Sequence, residues 1–208
     1  MGTVERRARE KDAKRRAILR AAIRCFARKG YASVSLDDVA RAAEVAKGTV
    51  YLYFKSKADL FASLLLDHGF EPFSDALEAS LARCKDAAGA LRAFTRCFRD
   101  LCLGGDREIF QLFVQLDRGD VAEGLSENLR EESHRRLEGI LDSLAKWIDR
   151  GRAEGLLACP EGCRVARVLW AVCVGVAHLA RGGESDGARV LDDAVEGLLA
   201  GLASRKRA

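Results

Sequence analysis

Proline is nearly absent from this chain, with two in 208 residues, and aromatic side chains make up only 7%. Scarce proline removes the strongest helix breaker. Few aromatics beside abundant alanine and leucine favour helix over sheet. No stretch alternates with a two-residue period for long enough to compel a strand, and no internal repeat is evident. No apolar run approaches the ~20 residues that span a bilayer. The first twenty residues are charged, unlike a secretory leader. The expectation is a soluble, cytoplasmic chain with no membrane partner. Catalytic signatures are also missing: there is no His-Glu-x-x-His, phosphate loop, dinucleotide fingerprint or nucleophile elbow. The three histidines, His68, His134 and His178, are isolated in sequence. The chain is not expected to be an enzyme, and it calls for neither cofactor nor metal.

Seven cysteines are present, an odd number: Cys25, Cys84, Cys97, Cys102, Cys159, Cys163 and Cys173. Most fall within apolar helical patterns, where a free thiol packs as a small hydrophobe. Cys159 and Cys163 invite a second reading, a thiol- or metal-sensing regulator. Two sulfurs do not complete a tetrahedral zinc site, and a three-residue gap is not that of a redox pair. Cys163 reads as buried or capping, and Cys159 as a loop residue.

The charge that is present is unevenly placed. Residues 1–60 hold 15 Lys or Arg against 7 Asp or Glu, a net +8. The remainder holds 20 against 24, a net −4. A positive head attracts a polyanion and an acidic body does not. A non-specific architectural DNA-binding protein would carry its basic residues more widely.

The head has a compact helical grammar. Met1–Arg9 reads as charged and frayed. A first helix is expected from about Glu10 to Lys29, with Ile18, Leu19, Ala22, Ile23 and Phe26 as its apolar stripe and Gly30 as its stop. Ser35 to Asp38 forms a capping box that opens a helix over Leu36–Ala43, burying Leu36, Val39 and Ala40. Glu44 to Ala46 makes a turn, and a short helix runs from Lys47 to Tyr53. Ser56 to Asp59 reads as a second capping box. The helix it opens continues toward Leu81, and Pro72 is expected to kink or split it. Phe54 and Phe61 read as core. Lys47 and Thr49, on the first turn of the short helix, can reach phosphate oxygens or base edges, and Gly48 lets backbone approach closely.

The body reads as five further helices: Ala87–Leu103, Arg107–Leu116, Leu125–Glu154, Gly162–Arg181 and Asp186–Ala203. The coarse total is nine. The fold class is all-α: an N-terminal three-helix DNA-binding domain, residues 1–55, with a helix-turn-helix, and a larger C-terminal helical domain, residues 56–208.

The head carries a residue-specific likeness. Ser35, Asp38, Val39 and Ala40, then Val45 to Tyr51, then Tyr53, Phe54, Ser56, Lys57, Asp59, Leu60 and Phe61 resemble the N-terminal domain of the tetracycline-repressor-like (TetR) regulators. The likeness covers about a quarter of the chain; the body matches in length, helix count and order. Membership implies a ligand-responsive transcriptional regulator, most often a repressor, that binds a palindromic double-stranded DNA operator as a homodimer. A small-molecule effector in the body releases it. Carried over by position, the DNA contacts are Ser35, Lys47, Gly48, Thr49, Tyr51, Tyr53 and Lys57. The last two helices would pair with their copies through Val168, Leu169, Val172, Val176, Val190, Leu191, Val195 and Leu198. Inward stripes of the middle helices suggest an apolar effector site lined by Phe94, Phe98, Cys102, Phe110, Phe113, Trp147 and Trp170. One departure from the family pattern is Ala46, where relatives often place a capping serine or threonine.

Overall fold

The computed structural model describes residues 3–101, 124, 126–179 and 184–203. Nine α-helices lie among them: α1 (Thr3–Ser33), α2 (Leu36–Ala42), α3 (Lys47–Tyr53), α4 (Lys57–Leu65), α5 (Glu71–Leu81), α6 (Ala87–Arg99), α7 (Glu127–Ala153), α8 (Gly162–Leu179) and α9 (Glu184–Leu202). Among the described residues the only β pairing is an isolated antiparallel bridge between Leu157 and Ala203. The fold is all-α. The expected helix over Arg107–Leu116 lies outside the described residues. The chain divides into two compact units, residues 1–69 with 111–133, and residues 70–110 with 134–208.

In the first unit, α1 begins seven residues earlier than the sequence suggested, because its opening turns are helical despite having no apolar stripe. Its regular geometry breaks at Gly30, whose φ of 75° suits a residue without Cβ. The core is built on Ile18, Leu19, Ala22 and Phe26 of α1, Val39 of α2, Val50 of α3, and Leu60, Phe61 and Leu64 of α4, all essentially inaccessible. The Phe61 ring meets Phe26 and Tyr31 edge-on, at 5.2 and 5.1 Å between centroids.

Ser35 caps α2 as expected: its hydroxyl accepts from the Asp38 N–H at 3.2 Å, and the Asp38 carboxylate accepts from the Ser35 N–H at 3.0 Å. The second box is only half formed. Ser56 accepts from the Asp59 N–H at 2.9 Å, but the Asp59 carboxylate turns away to accept from the Ser126 N–H at 2.9 Å. Asp59 is 4% exposed, and a buried carboxylate requires a donor wherever one is nearest.

Pro72 splits the next long helix. Its ring cannot tolerate the carbonyl four residues earlier, that of His68, and its nitrogen donates nothing. The chain widens into a π-helical turn at Leu66–Phe70 before α5 resumes with Pro72 in its first turn. Asp67 of that turn is paired with Arg15 of α1.

In the second unit, α6 contributes Leu91, Phe94 and Phe98, α7 contributes Ile140, Leu141, Leu144 and Ile148, and α8 and α9 contribute Leu169, Cys173, Leu191 and Val195. Gly162 starts α8 hard against α7: a Cβ there would stand 2.4 Å from the Ala145 carbonyl oxygen. Its N–H donates to Asp149 at 2.9 Å. Arg92 forks onto Glu196 at 2.6 and 2.8 Å, and Arg99 meets Asp192 at 3.0 Å, tying α6 to α9. Such exposed pairs contribute about 0–1 kcal/mol each.

The hydroxyl and backbone N–H of Ser35, joined by Arg41, hold the Asp38 carboxyl well below its ordinary value of 3.8. A depressed folded value adds stability above the unfolded one and loses it as pH falls through the folded one. Asp38→Asn is therefore expected to destabilise the protein by a constant amount at neutral pH, and the gap to wild type should close below pH 3.8. Chemical denaturation of both proteins across acid pH measures this; a gap independent of pH would refute it.

Candidate functional site

Helix α3 lies largely at the surface of the head. Seven residues long, it has a single buried side chain, Val50, and its N-cap Ala46 makes no side-chain bond. Its entry depends on Glu44, a left-handed residue at φ 56°, which turns the chain between α2 and α3. The Val45 N–H donates to the Ala40 carbonyl at 3.0 Å and locks that turn. With Val50 fixed inward, the helical phase carries Gly48, Tyr51 and Leu52 outward, and Lys47 is exposed at the open start of the helix. Tyr51 is 49% exposed and Leu52 83%. Leu52 did not stand out in the sequence, although its two-residue offset from buried Val50 signals the opposite face.

The seven head residues singled out in the sequence do not all present themselves alike. Ser35 is exposed at the mouth of α2, with its hydroxyl committed to the cap. Gly48 is exposed, and a Cβ there would meet nothing within 4 Å. A tight internal helix contact is thus not what glycine provides at this position. Thr49 and Tyr53 are half-buried. Lys47 reaches Asp37 at 2.8 Å, and the hydrogen bond to that carboxylate raises the ammonium's pKa. Lys57 turns back: its ammonium donates to the carbonyls of Tyr31 and Ala32 at 2.9 and 3.3 Å and lies 4.3 Å from the Tyr31 ring centroid. It adds a donor to carbonyls in the last turn of α1, one of which, that of Tyr31, also accepts from the Val34 N–H at 3.3 Å.

In the second unit, Trp170 of α8 is the hub of an aromatic cluster. Phe70, Phe73, Phe94 and Phe98 surround it at 5.7 to 6.4 Å between centroids. Of the expected effector-site residues, Phe94, Phe98 and Trp170 come together here. Phe70 and Phe73 were missed, because their pattern was absorbed into one continuous helix. Trp147 instead lies beside the Arg150 guanidinium, 5.5 Å from its ring centroid. Cys102, Phe110 and Phe113 lie outside the described residues.

The eight interface residues divide by helical phase. Leu169, Leu191 and Val195 are buried within the protomer. Val168 and Val190 are 51% and 45% exposed, and Val172, Val176 and Leu198 are partly exposed. Thus α8 has two apolar stripes, one inside the protomer and one outside it.

The sulfur pair separates too. Cys159 is half-buried, and burial raises its thiol pKa. Cys163, expected to be buried or capping, is not buried but exposed, because the buried stripe of α8 passes through Gly162, Val165, Ala166 and Leu169. Burial pushes the Cys173 thiol up to about 12, as for an inert packing residue. Among the described residues no group of three or more ligating side chains could hold a metal. Nor is any helix among them long and apolar enough to cross a membrane.

Comparison with known proteins agrees with this geometry. The profile of bacterial regulatory proteins of the tetR family matches residues 18–64, the span from the α1 core to α4. The transcriptional regulator AcrR of Shigella flexneri is 44% identical over 50 residues, which is 24% of this chain and 23% of that protein. The chain thus matches less than a quarter of the length of that relative. A longer likeness joins it to the fatty acid metabolism regulator protein of Bacillus subtilis, 41% identical over 152 residues, 73% of this chain and 75% of the relative. The solved fatty acid degradation regulator FadR of Bacillus halodurans shares the fold at a TM-score of 0.74 and 22% identity, over 92% of this chain and 97% of that one. The capped α2, the left-handed turn and the outward-facing α3 sit within the matched span, and the chain belongs to the TetR family of helix-turn-helix transcriptional regulators.

Proposed function

We propose that the protein is a homodimeric repressor that binds a near-palindromic DNA operator and leaves it when the body takes up a mainly apolar molecule. One observation carries the DNA reading. Helix α3 turns a bare glycine, a tyrosine and a lysine outward, free of any internal packing role for that glycine. In this reading α3 enters the major groove, Thr49, Tyr51 and Tyr53 reach base edges or phosphates, and the DNA backbone passes Ser35 and Lys57, whose ammonium must leave the Tyr31 and Ala32 carbonyls to meet a phosphate. Residues 1–55 form the reading domain and 56–208 the effector and dimerisation domain.

Gly48 provides a test that separates binding from stability. Alanine there is expected to raise stability by up to about 1 kcal/mol through helix propensity. The same methyl group should hold the helix away from the groove and weaken binding to a selected operator at least tenfold. Gel shift and thermal melting read the two effects. Unchanged operator affinity for Gly48→Ala would remove α3 from the groove, and failure of selection from random duplexes would remove sequence-specific binding altogether.

The second apolar stripe of α8, Val168, Val172 and Val176, together with Val190 and Leu198 of α9, supports a two-fold four-helix interface. Val172→Glu is expected to convert the dimer to monomer at micromolar concentration, because the carboxylate would have to be desolvated. Light scattering decides it; a wild-type monomer would sink the interface.

The Trp170 cluster supports an apolar effector, and the relative from Bacillus subtilis favours a long acyl chain. Effector and operator then bind different forms of the dimer, so each must weaken the other by the same factor. Acyl thioesters of graded chain length should displace the operator, longer chains best, in a fluorescence anisotropy titration. Equal displacement at all lengths, or none, would exclude the acyl class.

A further inference from the structure

Leu52 has no role in the reading above. Among the described residues it is the most exposed large hydrophobic one, and it sits in the middle of a basic head. Val50 is wholly buried and fixes the rotation of α3, so Leu52, about 200° around the helix, points away from the core. Gly48 lies one turn earlier on the same face, and the space a Cβ would take there is open. The leucine therefore stands beyond a bare stretch of helix, flanked by exposed Lys47, Tyr51 and Lys55. There is no acidic residue in α3 to repel a polyanion. A leucine offers a phosphate no hydrogen bond, so charge alone gives this side chain no purpose at the surface. The apolar feature of a B-DNA major groove is the C5-methyl of thymine.

Resting on the DNA-binding reading, we propose that Leu52 is a specificity determinant that packs its isobutyl group against a thymine methyl in each half-site. Gly48 permits the approach, and Leu52 is the apolar probe that the approach delivers. The contact selects thymine over cytosine at that position without a hydrogen bond, because cytosine lacks the methyl.

Deoxyuridine tests this directly, because it differs from thymidine only by that methyl. The full-length wild-type protein first selects its operator from random duplexes. Each thymine is then replaced by deoxyuridine in symmetric pairs, and affinities are measured by anisotropy. One symmetric pair is expected to weaken wild-type binding about 15-fold, the loss for two methyl groups removed from an apolar contact. Leu52→Ala, at a position too exposed to disturb folding, should bind the thymine and deoxyuridine operators within twofold of each other at that pair. It should keep the wild-type response at every other pair. An operator with no methyl-sensitive pair, or sensitivity that persists in Leu52→Ala, overturns the role of Leu52 and leaves DNA binding standing. Failure to select any sequence overturns both.

Discussion

A helix of seven residues cannot hold itself together in water, and the architecture of the head answers that constraint. Fewer than about 12 residues do not offset the cost of nucleating a helix. Helix α3 adds to the difficulty with a glycine in its first turn and no side-chain cap. It therefore borrows its position. Val50 and Phe54 anchor it from below, the left-handed Glu44 sets its entry, and Ser56 caps the helix that follows at once. Phe26, Tyr31 and Phe61 make the rigid floor beneath these elements. Because its neighbours hold α3 in place, its outward face is released from structural duty.

Much of this was legible in the sequence, since local rules governed it. Ser35 and Asp38 announced their cap, Gly30 announced a kink although α1 runs on to Ser33, and Pro72 announced a break within a longer apolar pattern. Less legible were features decided by a partner distant in sequence. Asp59 has the spacing of a capping box, yet its carboxylate answers to Ser126, 67 residues away. Lys57 reads as an outward cation, but the Tyr31 and Ala32 carbonyls at the end of α1 draw it back. The start of α1 at Thr3 was hidden because charged turns lack the apolar spacing by which a helix is recognised. Which of two apolar stripes on α8 faces inward could not be read from composition. Both are apolar, valines outward and small residues with Leu169 inward, and only the packing of Leu169 and Cys173 shows which side is covered.

The body repeats the same division between fixed and available surface. Gly162 sets α8 against α7 at a separation that no larger residue permits. The forked Arg92–Glu196 pair and the Arg99–Asp192 pair fix α9 against α6 from the other side. With both long helices held from within, the outward valines are a surface of defined shape. Trp170, on a flank of the same α8, gathers four phenylalanines from α5, α6 and the π-helical turn. One helix therefore bears on both the aromatic interior and the outer apolar stripe.

The Lys47–Asp37 pair has a consequence for the ionic behaviour of the head. Lys47 is not a free cation awaiting a phosphate; a carboxylate already occupies it at 2.8 Å. While it keeps that carboxylate it neutralises no phosphate, and no condensed cation leaves the duplex on its account. The net release of ions at this position is then close to zero. Binding through this head would accordingly be less steep in ionic strength than its count of basic residues implies, because steepness follows the ions actually set free. An acidic neighbour of this kind makes attachment less sensitive to changes in the salt around it.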